Sequence, residues 1–74
     1  MKYLITGVAG MIGSHLSEII IQNGHSIIGI DNLQVGNLDN LSEVINDKCF
    51  VFHNEDIITS QKLELLIKEC DVII

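Results

Sequence analysis

Hydrophobic positions along this chain follow two kinds of spacing that alternate with each other. Four short runs are mostly apolar and lack polar alternation: residues 3–6, 27–30, 49–53 and 71–74. Such runs are typical of strands buried on both faces of a parallel sheet. Three intervening stretches carry apolar residues at helical spacing: residues 11–23, 41–45 and 60–70. The order β-α-β-α-β-α-β predicts an α/β fold with a parallel sheet of about four strands and right-handed crossovers.

The first and third predicted helices each carry an apolar stripe that we expect to be buried. In the first helix the stripe consists of Ile12, Leu16, Ile19, Ile20 and Asn23, and the residues away from it are Ser14, Glu18 and Gln22. In the third helix the stripe consists of Leu63, Leu66, Ile67 and Cys70, with Ser60 as the N-cap. Gly24 follows the first helix and is available for a left-handed C′ position.

The segment 31–40 is rich in Asn, Asp and Gly and is predicted to be a loop. Asp39 or Asn40 would cap the short second helix that follows it. A strand order of 3-2-1-4 would leave the apolar fourth strand at an edge of the sheet, as in half of a doubly wound fold. Because exposed apolar edges favour association, we expect the chain to self-associate through this edge.

The composition excludes several classes of protein. Of the 74 residues, 47% are hydrophobic, which excludes a disordered chain. Four lysines and no arginine stand against ten acidic residues, so a basic surface for nucleic acid is not expected. No apolar run approaches the ~20 residues of a membrane span, and the N-terminus does not resemble a signal peptide. Two cysteines 21 positions apart and three scattered histidines lack zinc spacing, so we expect reduced thiols, no metal site and a cytoplasmic location.

Residues 6–13 contain the motif with the clearest chemistry, three glycines spaced G-x-x-G-x-x-G between a predicted strand and a predicted helix. Gly7 allows a tight turn, Gly10 lets a pyrophosphate approach the backbone, and Gly13 lets the helix pack closely on the sheet. The start of the helix offers free N–H groups to phosphates. In a chain of net charge −6, the anion would be bound by these local dipoles rather than by the overall field.

Asp31 stands at the end of the second predicted strand, 18 residues after Gly13. A carboxylate about 20 residues after the glycines is positioned to accept hydrogen bonds from an adenosine ribose. It would repel a 2′-phosphate, and no arginine is present to bind one, so NAD is favoured over NADP. The alternative is a glycine-rich turn in an α/β domain without a ligand, with Asp31 only solvating the loop.

These residues resemble a known family. The segment Ile5–Leu16, followed by Asp31–Leu33 and Gly36–Leu38, is similar to the N-terminus of the NAD-dependent epimerase/dehydratase family, extended short-chain dehydrogenases that act on nucleotide sugars. The loop at Asp31 is most similar to that of the UDP-glucose 4-epimerases within the family. Met11 stands where the family usually has an aromatic residue.

The resemblance implies a partial Rossmann fold and a set of NAD-binding residues. Gly7, Gly10, Met11 and Ile12 would line the pyrophosphate, and Asp31 with Asn32 beside it would bind the ribose. Asp56 and Ile57 match the pair that contacts adenine, although Glu55 precedes them where the family often has glycine.

Catalysis in the family implies residues that this chain lacks. Family members use a Tyr-x-x-x-Lys pair, whereas Tyr3, the single tyrosine, is followed four positions later by Gly7. We therefore expect residues 1–74 to be the truncated N-terminal part of an NAD(P)-binding Rossmann domain, with no catalytic residue and no substrate portion. The resemblance implies the NAD-binding part of a nucleotide-sugar epimerase or dehydratase similar to UDP-glucose 4-epimerases. The alternatives to this function are a dehydratase, decarboxylase or reductase of the same family, and a non-catalytic dinucleotide-binding module or gene remnant.

Overall fold

Four parallel strands form one sheet, in agreement with the predicted alternation of elements. The structure is a computed structural model and describes residues 1–55 and 63–74. The elements are β1 (Lys2–Thr6), α1 (Met11–Gln22), β2 (Ser26–Asp31), a 3₁₀ helix (Leu38–Leu41), β3 (Phe50–Asn54), α2 (Leu63–Glu69) and β4 (Val72–Ile73). The predicted cap Ser60 and the predicted adenine contacts Asp56 and Ile57 lie outside the described residues.

The strand order is β3-β2-β1-β4, which confirms the order expected from the sequence. The register pairs Leu4 with Ile28 on one side and with Ile73 on the other. The chain winds outward from β1 to β3 and then crosses to the opposite side of β1. In sheets of this kind, ligands bind beyond the carboxyl ends of the strands, where the winding reverses. Gly7, Asn32 and Glu55 follow β1, β2 and β3 at or near this edge.

Alternate residues of the strands supply two cores, one on each face of the sheet. The face that carries α1 and the 3₁₀ helix buries Ile5, Val8, Ala9, Ile20, Ile27, Leu41, Val44 and Phe50. The face that carries α2 buries Leu4, Ile28, Ile30 and Leu66. β2 is thus apolar on both sides, which explains why no polar residue interrupts Ile27–Ile30.

Helix α1 buries only part of the predicted stripe, because Ile20 lies in the core and Leu16 packs against it. Ile12 and Ile19 are 84% and 55% exposed, whereas Ser14, Ser17 and Ile20 are buried. The prediction was wrong for Ile12, Ile19 and Ser14, because the small residues of the helix take buried positions beside Ile20. The Ser17 hydroxyl donates to the Gly13 carbonyl at 2.8 Å, so its burial leaves no unsatisfied donor.

The end of α1 forms a Schellman motif. Gly24 has φ +83°, and its N–H donates to the Ile21 carbonyl at 3.0 Å. The His25 N–H donates to the Ile20 carbonyl at 3.3 Å. This pair of bonds satisfies carbonyls that the helix leaves without partners, and it confirms the left-handed role predicted for Gly24.

The second predicted helix is shorter than expected, and the third, α2, buries only part of its predicted stripe. The segment after β2 forms only a four-residue 3₁₀ helix, and its cap is Asn37, whose side chain accepts from the Asp39 N–H at 2.9 Å. Neither Asp39 nor Asn40 is the cap. In α2 the predicted stripe is partly buried through Leu66, Leu63 and Cys70, whereas Ile67 is 37% exposed.

Candidate functional site

The glycine-rich turn joins β1 to α1 at the carboxyl edge of the sheet. Gly7 has φ +63°, a left-handed conformation that glycine adopts without steric cost. The Gly10 N–H donates to the Gly7 carbonyl at 3.1 Å, and the Val8 N–H donates to the Ile30 carbonyl of β2 at 3.2 Å. These bonds hold the turn against the sheet in the conformation that the glycine spacing predicts.

The N-terminus of α1 is open to an anion. Its N-cap is Gly10, which contributes no side-chain hydrogen bond, and the first turn holds no acidic residue. The first N–H groups of a helix have no intrahelical acceptor, and the helix dipole is positive at this end. Met11 and Ile12, both predicted to line the pyrophosphate, stand at this end with their side chains 77% and 84% exposed.

Gly13 explains how close α1 comes to the turn. A Cβ atom added to Gly13 would lie 2.6 Å from the Gly7 carbonyl oxygen and 3.0 Å from the Val8 Cα. At Gly10 an added Cβ would meet the same oxygen at 3.3 Å. Gly13 is therefore required for packing, as predicted, whereas a methyl group at Gly10 would make only one slightly short contact with the turn.

Asp31 ties the end of β2 to this turn. Its side chain is buried, with Oδ2 accepting from the Ala9 N–H at 2.9 Å and Oδ1 accepting from the Leu33 N–H at 2.8 Å. A carboxylate has about four acceptor positions on its two oxygens. The two backbone bonds fix the carboxylate next to the glycine-rich turn and leave acceptor positions for a ligand.

The loop after β2 is shaped by its polar side chains. Leu33 has φ 63°, an uncommon conformation for a bulky residue, and the Asp31 carboxylate is bonded to its N–H. The exposed Asn32 accepts from the Gln34 N–H at 3.1 Å through its Oδ1 atom. The loop thus starts with two consecutive side-chain-to-backbone turns, one formed by Asp31 and the next by Asn32.

A second contact holds the glycine-rich turn from the side of residues 36–40. The Ala9 carbonyl accepts from the Asn37 N–H at 3.1 Å and from Asn40 Nδ2 at 2.8 Å. A Cβ atom on Gly36 would lie 2.7 Å from Asp31 Oδ2. This contact was not predicted from the sequence, in which Asn40 is a candidate helix cap. The glycine of the Gly36–Leu38 segment was the signal available for it.

A pocket of about 170 Å³ lies at this edge, lined by Gly7, Ile30, Asp31, Asn32 and Glu55. It brings together three of the predicted site residues, Gly7, Asp31 and Asn32. Glu55 was not predicted to be a site residue. It lines the pocket because its N–H donates to the Asp31 carbonyl at 3.2 Å. Gly10, Gly13, Met11 and Ile12 lie nearby in the turn and the first turn of α1, outside this lining.

Other candidate chemistry lies elsewhere or is not found in the described residues. Tyr3 belongs to the amino-terminal half of β1, where its ring packs edge-on against His25 with centroids 5.5 Å apart. Among residues 1–55 and 63–74, no group of three or more His, Cys, Asp or Glu side chains could hold a metal ion. The same residues contain no helix that is long and apolar enough to cross a membrane.

Comparison with known proteins identifies relatives over almost the whole chain. The sequence model described as GDP-mannose 4,6 dehydratase matches residues 4–74. A UDP-glucose 4-epimerase of Mycolicibacterium smegmatis is 38% identical over 66 residues, which cover 89% of this chain and 21% of that protein. The chain thus spans about a fifth of the length of the curated relatives that it matches.

Solved structures with the same architecture contain NAD. The dTDP-glucose 4,6-dehydratase of Bacillus anthracis, crystallised with NAD, superposes with a TM-score of 0.86 at 36% identity, covering 99% of this chain and 25% of that one. The Bordetella bronchiseptica enzyme WbmH, in complex with NAD⁺, has a TM-score of 0.87 at 30% identity, covering 97% and 24%. With the family match over residues 4–74 and the Rossmann strand order, these similarities show that the chain belongs to the NAD-dependent epimerase/dehydratase family.

Proposed function

We propose that this chain forms the part of an NAD site that binds the adenosine ribose and the pyrophosphate, within a nucleotide-sugar epimerase or dehydratase. The observation that carries the proposal is the hydrogen bond between Asp31 Oδ2 and the Ala9 N–H. It joins the residue suited to a ribose diol to the turn suited to a pyrophosphate. NAD presents these two groups next to each other.

In this proposal the pyrophosphate lies against the glycine-rich turn and the start of α1. Gly7 forms the turn, Gly10 lets the phosphates approach the backbone, and Gly13 lets α1 pack close to the turn. The N–H groups of Met11 and Ile12 face the phosphates. Binding by backbone dipoles suits a chain whose net charge is −6, because it does not depend on a basic surface. The NAD-bound dehydratase of Bacillus anthracis has the same strand-turn-helix arrangement over this region.

Asp31 is proposed to accept hydrogen bonds from the ribose hydroxyls, with Asn32 beside it. A buried carboxylate in this position would repel the 2′-phosphate of NADP, so the proposal is specific for NAD. The proposal also includes Asp56 and Ile57 as the residues that contact adenine, following the resemblance to the family.

Calorimetric titration of the chain with NAD and with NADP tests this assignment. We expect NAD to bind more tightly, and Asp31→Ala to weaken NAD binding by ~1.5–3 kcal/mol, about 10- to 150-fold. The loss should be smaller for NADP, because the variant also removes a repulsion. Asp39→Ala is a charge-matched control, since Asp39 is exposed and outside the pocket lining. Equal affinities of the parent chain for NAD and NADP, or no binding of either, would refute the proposal.

We further propose that residues 1–74 are the N-terminal part of the Rossmann domain of an enzyme that acts on a nucleotide sugar. A supporting comparison is the UDP-glucose 4-epimerase of Thermotoga maritima solved with UDP-glucose, 31% identical, of which this chain covers 24%. The tyrosine and lysine of catalysis would then lie outside residues 1–74. Reading the gene beyond codon 74 tests this, since a continuation with Tyr-x-x-x-Lys is expected and a stop followed by unrelated sequence would contradict it.

Two finer properties belong to the same proposal. Self-association of the chain is expected because Ile73 and Ile74 are about half exposed at the β4 edge of the sheet. Analytical ultracentrifugation should show oligomers, and a single monomeric species across concentrations would contradict this. A cytoplasmic location agrees with the free thiols of Cys49 and Cys70, and fractionation of cells that make the chain would check it.

A further inference from the structure

The peptide group between Ala9 and Gly10 is bonded on both of its polar sides. Its carbonyl oxygen accepts from the Asn37 N–H and from Asn40 Nδ2, and its N–H donates to the Gly7 carbonyl at 3.1 Å. The preceding peptide is held through the Ala9 N–H by Asp31. Two consecutive peptide groups in the middle of the glycine-rich turn therefore have fixed orientations.

We infer that Asn40 is a positioning residue for the pyrophosphate-binding turn, and the inference rests on the function proposed above. Among residues 1–55 and 63–74, its side-chain amide is the one side-chain donor on the Ala9 oxygen, at 2.8 Å, and it comes from a residue 31 positions away. An oxygen acceptor at that distance requires the N–H₂ group of the amide to face it. Asn40 acts through Ala9 and does not itself reach the ligand.

The neighbours of Asn40 explain why this side chain can act as a fixed support. Leu41 is fully buried in the core on the α1 side of the sheet, so the 3₁₀ helix has a firm attachment to the body of the protein. The Asn40 N–H donates to the Asn37 carbonyl at 3.0 Å, which sets the direction of its side chain. Gly36 allows this segment to lie directly against Ala9, since an added Cβ would be 2.9 Å from the Ala9 carbonyl carbon.

The hydrogen bond from Asn40 affects ligand binding through the position of Gly10. Gly10 is the N-cap of α1, with φ −75° and ψ 172°, and its position sets the direction of the first N–H groups of the helix. Glycine is the residue with the greatest backbone freedom, so a turn built on Gly7 and Gly10 would sample many orientations if unsupported. The Asn40 bond restricts the peptide just before Gly10 and so limits the directions in which the helix N–H groups point.

If Asn40 positions only the pyrophosphate-binding turn, its loss should weaken phosphate binding and leave ribose binding unchanged. The test uses this difference. NMR titrations with ADP and with adenosine compare three proteins: the parent chain, Asn40→Ala and Asn46→Ala. Asn46→Ala is the matched control, since Asn46 lies in an exposed turn of the same segment. We expect Asn40→Ala to weaken ADP binding by about three- to tenfold, the effect of one lost hydrogen bond, and to leave adenosine binding unchanged. Asn46→Ala should change neither affinity. Equal losses for ADP and adenosine would overturn the inference, because they indicate a general structural role.

Amide hydrogen exchange supplies a second readout that does not depend on any ligand. The Gly10 N–H should exchange about three- to tenfold faster in Asn40→Ala, whereas the Gly24 N–H at the other end of α1 should be unchanged. Asn40→Asp, of the same size, directs an oxygen at the Ala9 oxygen and should give the same pattern. Unchanged exchange at Gly10 in both variants would refute the positioning role. Failure of the parent chain to bind ADP would instead refute the proposed function, and the exchange result would still decide the role of Asn40.

Discussion

Replacement of Gly13 by alanine is the perturbation whose cost is most directly given by the structure. The added methyl carbon would lie 2.6 Å from the Gly7 oxygen and 3.1 Å from the Val8 oxygen, whereas ordinary contact begins at 3.4 Å. Both oxygens belong to the backbone of the glycine-rich turn, so no side chain can rotate away. Helix α1 would have to move away from the turn, which loosens the buried contacts of Ser17 and Ile20.

The expected magnitude comes from two opposing terms. An alanine inside a helix is ~1 kcal/mol more favourable than a glycine, which would stabilise the variant if there were space. Overpacking of a tight contact costs ~1–3 kcal/mol, and more when backbone atoms must shift. Because both opposing atoms are backbone oxygens, we take ~2–3 kcal/mol for the overpacking. Subtracting the ~1 kcal/mol of helix propensity, we expect Gly13→Ala to lower the free energy of unfolding by about 1–2 kcal/mol.

Urea unfolding of the 74-residue chain, followed by far-UV circular dichroism, measures this change. Gly10→Ala is the matched control, because its methyl group would lie 3.3 Å from the same oxygen and its φ of −75° suits any residue. We expect Gly10→Ala to change stability by less than ~0.5 kcal/mol while weakening NAD binding, since its methyl group stands where the phosphates approach. A Gly13→Ala chain as stable as the parent, or more stable, would refute the close-packing argument.

Other predictions concern the end of α1, the middle of β2 and a thiol. Gly24→Ala should lower the free energy of unfolding by about 1 kcal/mol through its φ of +83° alone, since no atom lies within 4 Å of an added Cβ. Gly29→Ala should destabilise by ~1–3 kcal/mol, because its methyl would lie 2.8 Å from Val8 Cγ1, and Val8→Ala in the same chain should recover part of the loss in a double-mutant cycle. Burial raises the pKa of the Cys70 thiol, an effect that Lys2 opposes, so its alkylation by iodoacetamide should require a higher pH than that of a small model thiol. Alkylation of Cys70 at the same pH as the model thiol, measured by mass spectrometry, would contradict this.

Features that depend on local backbone chemistry could be predicted from the sequence. The left-handed turn at Gly7, the helix end at Gly24 and the close packing at Gly13 each follow from the absence of a side chain at one position. The strand order is that of half of a doubly wound fold, which the glycine-rich turn after β1 indicates. The place of Asp31 next to the turn follows from both, because adjacent parallel strands end at the same edge.

Features that depend on how elements approach each other could not be predicted in this way. An apolar stripe predicts the buried face of a helix only when the helix packs through large side chains. Helix α1 packs through Gly13 and Ser17 as well as Ile20, so Ile12 and Ile19 remain exposed. The contact of Asn40 with Ala9 joins residues 31 positions apart, and the same side chain would also be suitable as a helix cap. The choice between the two is made by the buried position of Leu41, which is a property of the assembled core.

The parallel sheet has a consequence for how the chain acquires its structure. Each strand pairs with a partner far away along the chain: Lys2 with Ser26, Ile27 with Phe50, and Tyr3 with Val72. No pair can form as a local hairpin, and topologies dominated by distant contacts fold slowly. During synthesis, β1 keeps one edge unpaired until Val72 and Ile73 have left the ribosome. Throughout that interval the nascent chain exposes an apolar strand edge, the feature that chaperones bind and that leads unprotected chains to aggregate.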